Sequence, residues 1–221
     1  MAEEPAGAAR TGSSIGQLVS AHKLLRGHSA KRFFCLRRSA KIFAMPNRLN
    51  ILNPSAVHRV LTRIAHEIAE RNEDNGSVVI VGVQSGGVRL AQRLSQILGA
   101  IWGHPVPTGT IDVSMHRDDL GQQPAPNVRP TDIPFDITKK TVILVDDVLF
   151  SGRTTRAALD SLNDFGRPSR IQLAVLIDRG HRELPIKADF IGKNVPTGLN
   201  ERIDVHLKEE GGEDMVSLEK P

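Results

Sequence analysis

The chain has 221 residues, 39% apolar and 24% charged, enough for one compact domain of about 150 to 200 residues with an appendage. Its single cysteine, Cys35, excludes an internal disulfide framework and a Cys/His zinc quartet, and no apolar run approaches the ~20 residues of a membrane-spanning helix. The formal charge of +4 is uneven: residues 1–45 hold eight Lys and Arg against Glu3 and Glu4, a net +6, leaving −2 for the remainder, so a general polyanion-binding field on the folded part is excluded.

Residues 1–44 mix Gly, Ala, Ser and Arg without a sustained period, and Met45 stands before the first stretch that reads as folded. A boundary is expected there, with 1–45 a basic tail and 46–221 one domain. Two readings of the tail stay open: an Arg-rich presequence, or a disordered extension ahead of a start at Met45. Asn53 before Pro54 is a helix-start signature, and Val57, Val60, Leu61, Ile64, Ala65 and Ile68 follow at helical spacing, predicting an amphipathic helix over residues 54–72. The run Val78–Val83 (VVIVGV) reads as a buried strand, Ser85, Gly86 and Gly87 as a turn, and Leu90, Ala91, Leu94 and Leu98 as a second helix closed by Gly99.

Thr110–Met115 alternates like a strand. The polar, Pro-rich stretch from His116 to Pro134 has no buried periodicity and is too long for a simple connection, the kind of loop that is functional or mobile. Thr141–Val148 is a continuous apolar strand ending in two acids. Arg153–Phe165 reads as a helix with Ala158, Leu159, Leu162 and Phe165 inward and Gly166 ending it, and Ile171–Ile177 as a further buried strand. Buried strands alternating with amphipathic helices predict an α/β fold: a mostly parallel twisted sheet flanked by helices, with ligand sites at the carboxyl ends of the strands.

The stretch VILVDDVLFSGRT, from Val142 to Thr154, carries the clearest chemistry. Its strand delivers Asp146 and Asp147 to the carboxyl edge, and Val148, Leu149, Phe150, Ser151, Gly152, Arg153, Thr154 and Thr155 then turn into a helix. A helix start offers unpaired N–H groups and the positive end of the dipole, the hydroxyls add donors, and Gly152 lets the backbone close in, so the turn suits a phosphate monoester. Two carboxylates beside it suit a vicinal diol, and phosphate with diol means a ribose 5-phosphate. A Walker-type nucleotide site would need a GxxxxGK[ST] loop, and the one Gly-Lys pair, Gly192 and Lys193, is followed by Asn194. A bare helix cap would explain Ser151 but not two acids at a buried strand end, where desolvation and repulsion make both charges costly.

This signature resembles the diphosphate-sugar motif of the type I phosphoribosyltransferases. The resemblance narrows at Leu61–Glu67 (LTRIAHE), Arg117–Leu120 (RDDL), Thr131–Phe135 (TDIPF) and Asp178–Thr197 (DRGHRELPIKADFIGKNVPT), which are similar to the PyrR family over roughly residues 50–215. Members combine attenuation of the pyrimidine operon with uracil phosphoribosyltransferase activity. The resemblance implies a type I phosphoribosyltransferase fold over 46–221, with a small base-recognition hood and a mobile flap. It implies transfer of phosphoribosyl from 5-phosphoribosyl diphosphate to uracil, giving UMP and diphosphate. That transfer builds positive charge on the ribose and negative charge on the leaving group, which calls for Mg²⁺, donors on the diphosphate and exclusion of water. The Mg²⁺ is expected to be held mainly by the substrate, with no direct protein ligand.

By the same resemblance Asp146, Asp147 and Arg117 are catalytic, and Val142 together with Asp146 through Thr155 binds the ribose and 5-phosphate. Ser85, Gly86 and Gly87 form the expected diphosphate loop, with Gly86 standing where many members have Arg; as residues alone they equally fit an ordinary strand-to-helix turn. Arg117, Asp118 and Asp119 belong to the flap. Asp178, Arg179 and His181 belong to the uracil hood, where Arg179 and backbone groups suit the carbonyls and N–H groups of uracil.

Thr62, Arg63 and His66 share a polar stripe opposite Val60, Leu61 and Ile64, which alone reads as a solvated helix face. In PyrR proteins the positions matching Thr62, Arg63, His66, Arg182, Lys187 and Lys193 resemble a surface for a leader-mRNA hairpin, with Lys187 standing where many members have Arg. UMP is then the expected effector, through a reciprocal linkage. Two alternatives stay open, a phosphoribosyltransferase for another base such as hypoxanthine and an RNA-binding regulator with little enzyme activity. A homo-oligomer, dimer or higher, in the cytoplasm and without membrane association, completes the expectation.

Overall fold

The computed structural model describes residues 47–73, 75–114 and 129–220. The expected tail boundary at Met45, Cys35 and the flap residues Arg117, Asp118 and Asp119 lie outside them. In chain order the elements are β1 (Asn47–Leu52), α1 (Pro54–Arg71), β2 (Val78–Val83), α2 (Gly86–Trp102), β3 (Thr108–Ile111), β4 (Thr141–Leu149), α3 (Arg153–Leu162), β5 (Arg170–Asp178), β6 (Phe190–Asn194), β7 (Arg202–His206) and β8 (Met215–Lys220).

β2 and the first six residues of β4 are buried on both faces, which is why they read as continuous apolar runs. They sit at the centre of a parallel sheet of order β3-β2-β4-β5-β6. Strand alternation sorts their side chains between two cores. Val78, Ile80, Ile143 and Val145 pack with the apolar faces of α1 and α2, whereas Val79, Val81, Val142 and Leu144 pack with Ala157, Ala158 and Leu162 of α3. After β2 the chain crosses to β3 on one side, and after β4 it crosses to β5 on the other. The two loops therefore part at the carboxyl ends of β2 and β4 and leave a crevice at the point where the strand order reverses.

The predicted start of α1 is present: Asn53 Oδ1 accepts the Ala56 N–H at 2.9 Å, and Val57, Leu61, Ile64, Ala65 and Ile68 form its buried stripe. Three boundaries differ from expectation. α2 runs through Gly99 to Trp102, because Gly103 is the glycine that takes the left-handed conformation (φ 76°) and returns its N–H to the Gly99 carbonyl at 2.9 Å. β3 ends at Ile111, not Met115, since the Asp112 carboxylate captures the N–H groups of Ser114 and Arg129 and the Thr131 hydroxyl caps the Asp112 N–H. Burial pushes the Asp112 carboxyl up, but the bonds from Ser114 and Arg129 outweigh it and hold it below its ordinary value. α3 stops at Leu162, and the tighter turn of Asn163–Phe165 rotates Phe165 outward to 40% exposure.

The two ends of the domain meet in a second, antiparallel sheet of order β1-β8-β7. Leu52, Ile203, Leu207, Val216 and Leu218 join it to the core formed by α1 and α2. These strands, and β6, were not legible as strands in the sequence because each is only five or six residues long and partly polar. One clamp fixes the β7–β8 connection to α2: Arg93 donates to both oxygens of Asp214 at 2.7 Å and to both oxygens of Glu209 at 2.6 and 2.9 Å. The bond to Asp214 is the main influence raising the Arg93 guanidinium above its ordinary value, and the bonds from Arg93 hold Asp214 and Glu209 below theirs. Among the described residues no helix is long and apolar enough to cross a membrane.

Arg93→Met leaves two shielded carboxylates without their cation and is expected to cost about 2–3 kcal/mol of stability. Both acids bind a proton less readily folded than unfolded. Their contribution is therefore complete above the ordinary values of 3.8 and 4.5 and is lost as pH falls through the depressed folded values. Thermal melts at neutral pH and at about pH 3 should show the gap between wild type and variant closing at the acid end.

Candidate active site

Three glycines decide how near the start of α2 comes to β4. A Cβ on Gly82 would lie 2.6 Å from Val88 Cα, one on Gly87 would lie 2.3 Å from the Val145 carbonyl oxygen, and one on Gly86 would lie 2.3 Å from Asp147 Oδ2. The turn between β2 and α2, with a cis Gln84–Ser85 peptide, is thereby set directly against the acidic end of β4. Strand alternation then divides the two acids. Asp147 lies against Gly86, while Asp146, 6% exposed, lines a cleft of about 270 Å³ with Leu149 through Thr155 and Glu183. The adjacent carboxylates thus serve two different loops, and a diol laid across the end of β4 would lie between them. Both are oriented by backbone: Asp147 N–H donates to Asp146 Oδ1 at 2.9 Å and Val148 N–H to Asp147 Oδ1 at 2.8 Å.

The Ser151–Thr155 turn forms the wall of that cleft. Gly152 takes a φ of 92°, open to glycine at little cost, and α3 starts at Arg153 with the Arg156 N–H on the Gly152 carbonyl at 2.9 Å. Thr155 is 2% exposed, and its hydroxyl has no hydrogen-bond partner. A buried hydroxyl left unpaired costs about 1–3 kcal/mol. This one sits in the first turn of α3, where backbone N–H groups also lack intrahelical partners, so the sequence places an uncompensated donor where an oxyanion would satisfy it. Val142 does not belong to the site. It is fully buried in the α3-side core, about 13 Å along the strand from Asp146.

The segment after β5 folds over the Ser151–Thr155 turn. Arg179, 8% exposed, stacks its guanidinium 4.2 Å above the Phe150 ring and donates to Thr197 Oγ1 at 3.0 Å and the Gly198 carbonyl at 3.2 Å. Burial pushes its guanidinium below the ordinary value. His181, at a φ of 59°, reaches the Thr197 carbonyl at 2.5 Å, and its ring meets Phe150 edge-on. A cleft of about 300 Å³ opens here, lined by Asp178, Arg179, Gly180, His181, Asn194, Pro196 and Thr197. The expected hood residues are therefore together, at the carboxyl end of β5. Thr197 and Asn194, which complete the wall, were not singled out in the sequence because they come from the end of β6 and the connection after it.

The residues expected to face RNA divide into two groups. Arg63 donates to the Ile191 and Gly192 carbonyls at 2.9 and 2.7 Å and pairs with Glu67, Lys193 donates to the Ile51 carbonyl at 3.2 Å, and Thr62 donates to the His58 carbonyl at 3.0 Å. The Arg63 bonds join the α1 stripe, with exposed His66, to β6, and the Lys193 bond joins β6 to β1. Arg182 lies instead in the active-site loop. It donates to the Phe150 and Gly180 carbonyls at 2.7 and 3.1 Å, to the Ile186 carbonyl at 3.0 Å and to Asp178 at 2.5 Å. Lys187 is exposed in the connection leading to β6. Arg182 is thus a staple of the loop, because its planar fork of donors is met by main-chain carbonyls.

Residues 49–202 match the phosphoribosyl transferase domain family. The solved structure of Trypanosoma cruzi hypoxanthine phosphoribosyl transferase superposes with a TM-score of 0.61 over 78% of this chain and 91% of that one, at 20% identity, a likeness of fold. A ligand crevice between the β2 and β4 loops, on a chain matching that domain, defines a phosphoribosyltransferase. The chain is 58% identical to the bifunctional protein PyrR of Chloroflexus aurantiacus over 79% of its own length and 96% of the relative's. It is 60% identical to the bifunctional protein PyrR of a Roseiflexus strain over 76% and 93%. It belongs to the PyrR family.

Gly86→Ala displaces the Asp147 carboxylate and is expected to lower kcat/KM at least about tenfold, ~1.4 kcal/mol, with the far-ultraviolet spectrum unchanged. Thr155→Val should separate stability from binding. The unfolding midpoint stays or rises, because an unpaired buried hydroxyl is removed, while KM for the phosphorylated sugar rises about five- to tenfold in steady-state assays.

Proposed function

We propose that the protein transfers the phosphoribosyl group of 5-phosphoribosyl diphosphate to uracil, giving UMP and diphosphate, and that UMP in the same site governs binding to the leader mRNA of a pyrimidine operon. The observation that carries the enzyme reading is the buried, unpartnered Thr155 hydroxyl in the first turn of α3, beside the Asp146–Asp147 pair at the strand-order reversal. The 5-phosphate lies in the Ser151–Thr155 turn. The ribose then spans the end of β4, with the carboxylates as acceptors for its hydroxyls. The diphosphate meets the Ser85–Gly87 turn, where backbone N–H groups at the start of α2 take up the charge that grows as the bond to the anomeric carbon breaks.

Uracil enters the cleft after β5, where the Arg179 guanidinium is held against Phe150 by Thr197 and Gly198 and main-chain groups of the loop read its carbonyls and ring N–H groups. Attack of the ring nitrogen on the anomeric carbon needs no covalent enzyme intermediate. Among the described residues no group of three His, Cys, Asp or Glu could hold a metal ion, and Mg²⁺ would be held mainly by oxygens of the substrate, beside the Asp146–Asp147 pair. When bound, Mg²⁺ would neutralise the departing diphosphate. The regulatory half of the proposal is supported by relatives named as bifunctional proteins and by the α1–β6 surface of Thr62, Arg63, His66 and Lys193. A cytoplasmic homo-oligomer belongs to the same proposal.

Full-length protein incubated with 5-phosphoribosyl diphosphate, Mg²⁺ and uracil, hypoxanthine, guanine or orotate in parallel should release diphosphate with uracil alone. Release with a purine instead would overturn the base assignment. For regulation, a leader hairpin should bind at least about tenfold more tightly with saturating UMP in a filter-binding titration, and equal affinity would overturn the linkage.

A further inference from the structure

The cleft assigned to the 5-phosphate has an acid in its wall. Glu183, on the loop after β5, lines the same cleft as Ser151, Gly152, Thr154 and Thr155. Its Oε2 accepts from the Arg153 side chain, with Nε and Nη2 each at 2.7 Å. Arg153 is the first residue of α3 and lines the same cleft as Thr155, whose hydroxyl is unpaired. The placement of Glu183 is enforced by main chain. Its own N–H and that of Leu184 both donate to the Ser151 carbonyl, at 3.0 and 3.2 Å, and neighbouring Arg182 is bound to Asp178 and three carbonyls on either side.

A phosphate monoester carries a charge near −2, and an arginine pairs with phosphate or carboxylate through the same fork of donors. Phosphate and Glu183 therefore make competing demands on one guanidinium while repelling each other across the cleft. We propose that Glu183 is a built-in competitor of the 5-phosphate for Arg153, holding down the affinity for phosphorylated ligands and coupling their binding to the position of the Asp178–Lys187 loop. The inference deepens the functional reading above and rests on it. The competing carboxylate discharges UMP after transfer, because it regains the arginine as the phosphate leaves. The same exchange shifts the loop that carries Arg182 and Lys187 when the nucleotide is bound.

Calorimetric titration of full-length wild type and Glu183→Gln with UMP, ribose 5-phosphate and uridine tests this. UMP and ribose 5-phosphate should bind the variant about tenfold more tightly, and uridine, which lacks the phosphate, should bind both proteins alike. Asp160→Asn on the exposed side of α3 makes the same change in net charge away from the cleft and should shift UMP affinity less than about twofold. Combining Arg153→Gln with Glu183→Gln should abolish the gain. Unchanged or weaker UMP binding by Glu183→Gln, an equal gain for uridine, or an equal gain in Asp160→Asn overturns the inference while leaving the functional reading standing. Failure of wild type to bind either UMP or ribose 5-phosphate overturns both.

Discussion

The distance between the start of α2 and the acidic end of β4 is the constraint on which the site depends. Side chains at Gly82, Gly86 or Gly87 would each meet backbone or carboxylate atoms well inside van der Waals contact, so the helix can seat itself there only with these three positions bare. Seating it brings the turn at Ser85 beside Asp147, and the parallel pairing of β2 with β4 carries the Ser151–Thr155 turn to the same level on the other side. Two helix starts, each with unsatisfied N–H groups, then face one crevice. A ligand with an anionic group at both ends and a diol between them has the charge pattern of that crevice.

Three arginines of the domain serve as internal fasteners. Arg93, Arg179 and Arg182 are each partly or largely buried, and between them they bind two carboxylates on the β7–β8 connection, the connection after β6, and main-chain carbonyls at Phe150 and in the loop after β5. The planar guanidinium fork makes such many-point attachment possible where lysine would offer a single point charge. Most of the other lysines and arginines among the described residues are exposed and spread along the chain.

The loop after β5, β6 and α1 are continuous. β6 pairs with β5 so that Lys193 lies beside Ile177 and Asn194 beside Asp178, the carboxylate that holds Arg182. α1 is fastened to β6 through Arg63 on the Ile191 and Gly192 carbonyls. A change at the cleft after β5 therefore has a short, hydrogen-bonded route to the α1 face. Such a route is a physical basis for linkage between nucleotide and a second ligand without a large rearrangement of the fold.

The sequence by itself determined the elements whose signal is local. Continuous apolar runs marked β2, β4 and β5, Asn53 before Pro54 marked the start of α1, and the Asp-Asp strand end with its Ser-Gly-Arg-Thr turn marked the start of α3, because burial on both faces, capping and helix-start chemistry all act within a few residues. Tertiary structure decided the rest. Strand alternation sends Asp146 and Asp147 to opposite faces, but only packing decides which loop each face meets, and only packing turns Arg182 from a surface cation into a staple. Val142 sits in the core and Phe165 in solvent because strand depth and the end of α3 are set by the neighbouring layers. Glu183 and Thr197 acquire their places solely through contacts with residues 30 and 18 positions away, a separation at which no periodicity or local propensity leaves a trace.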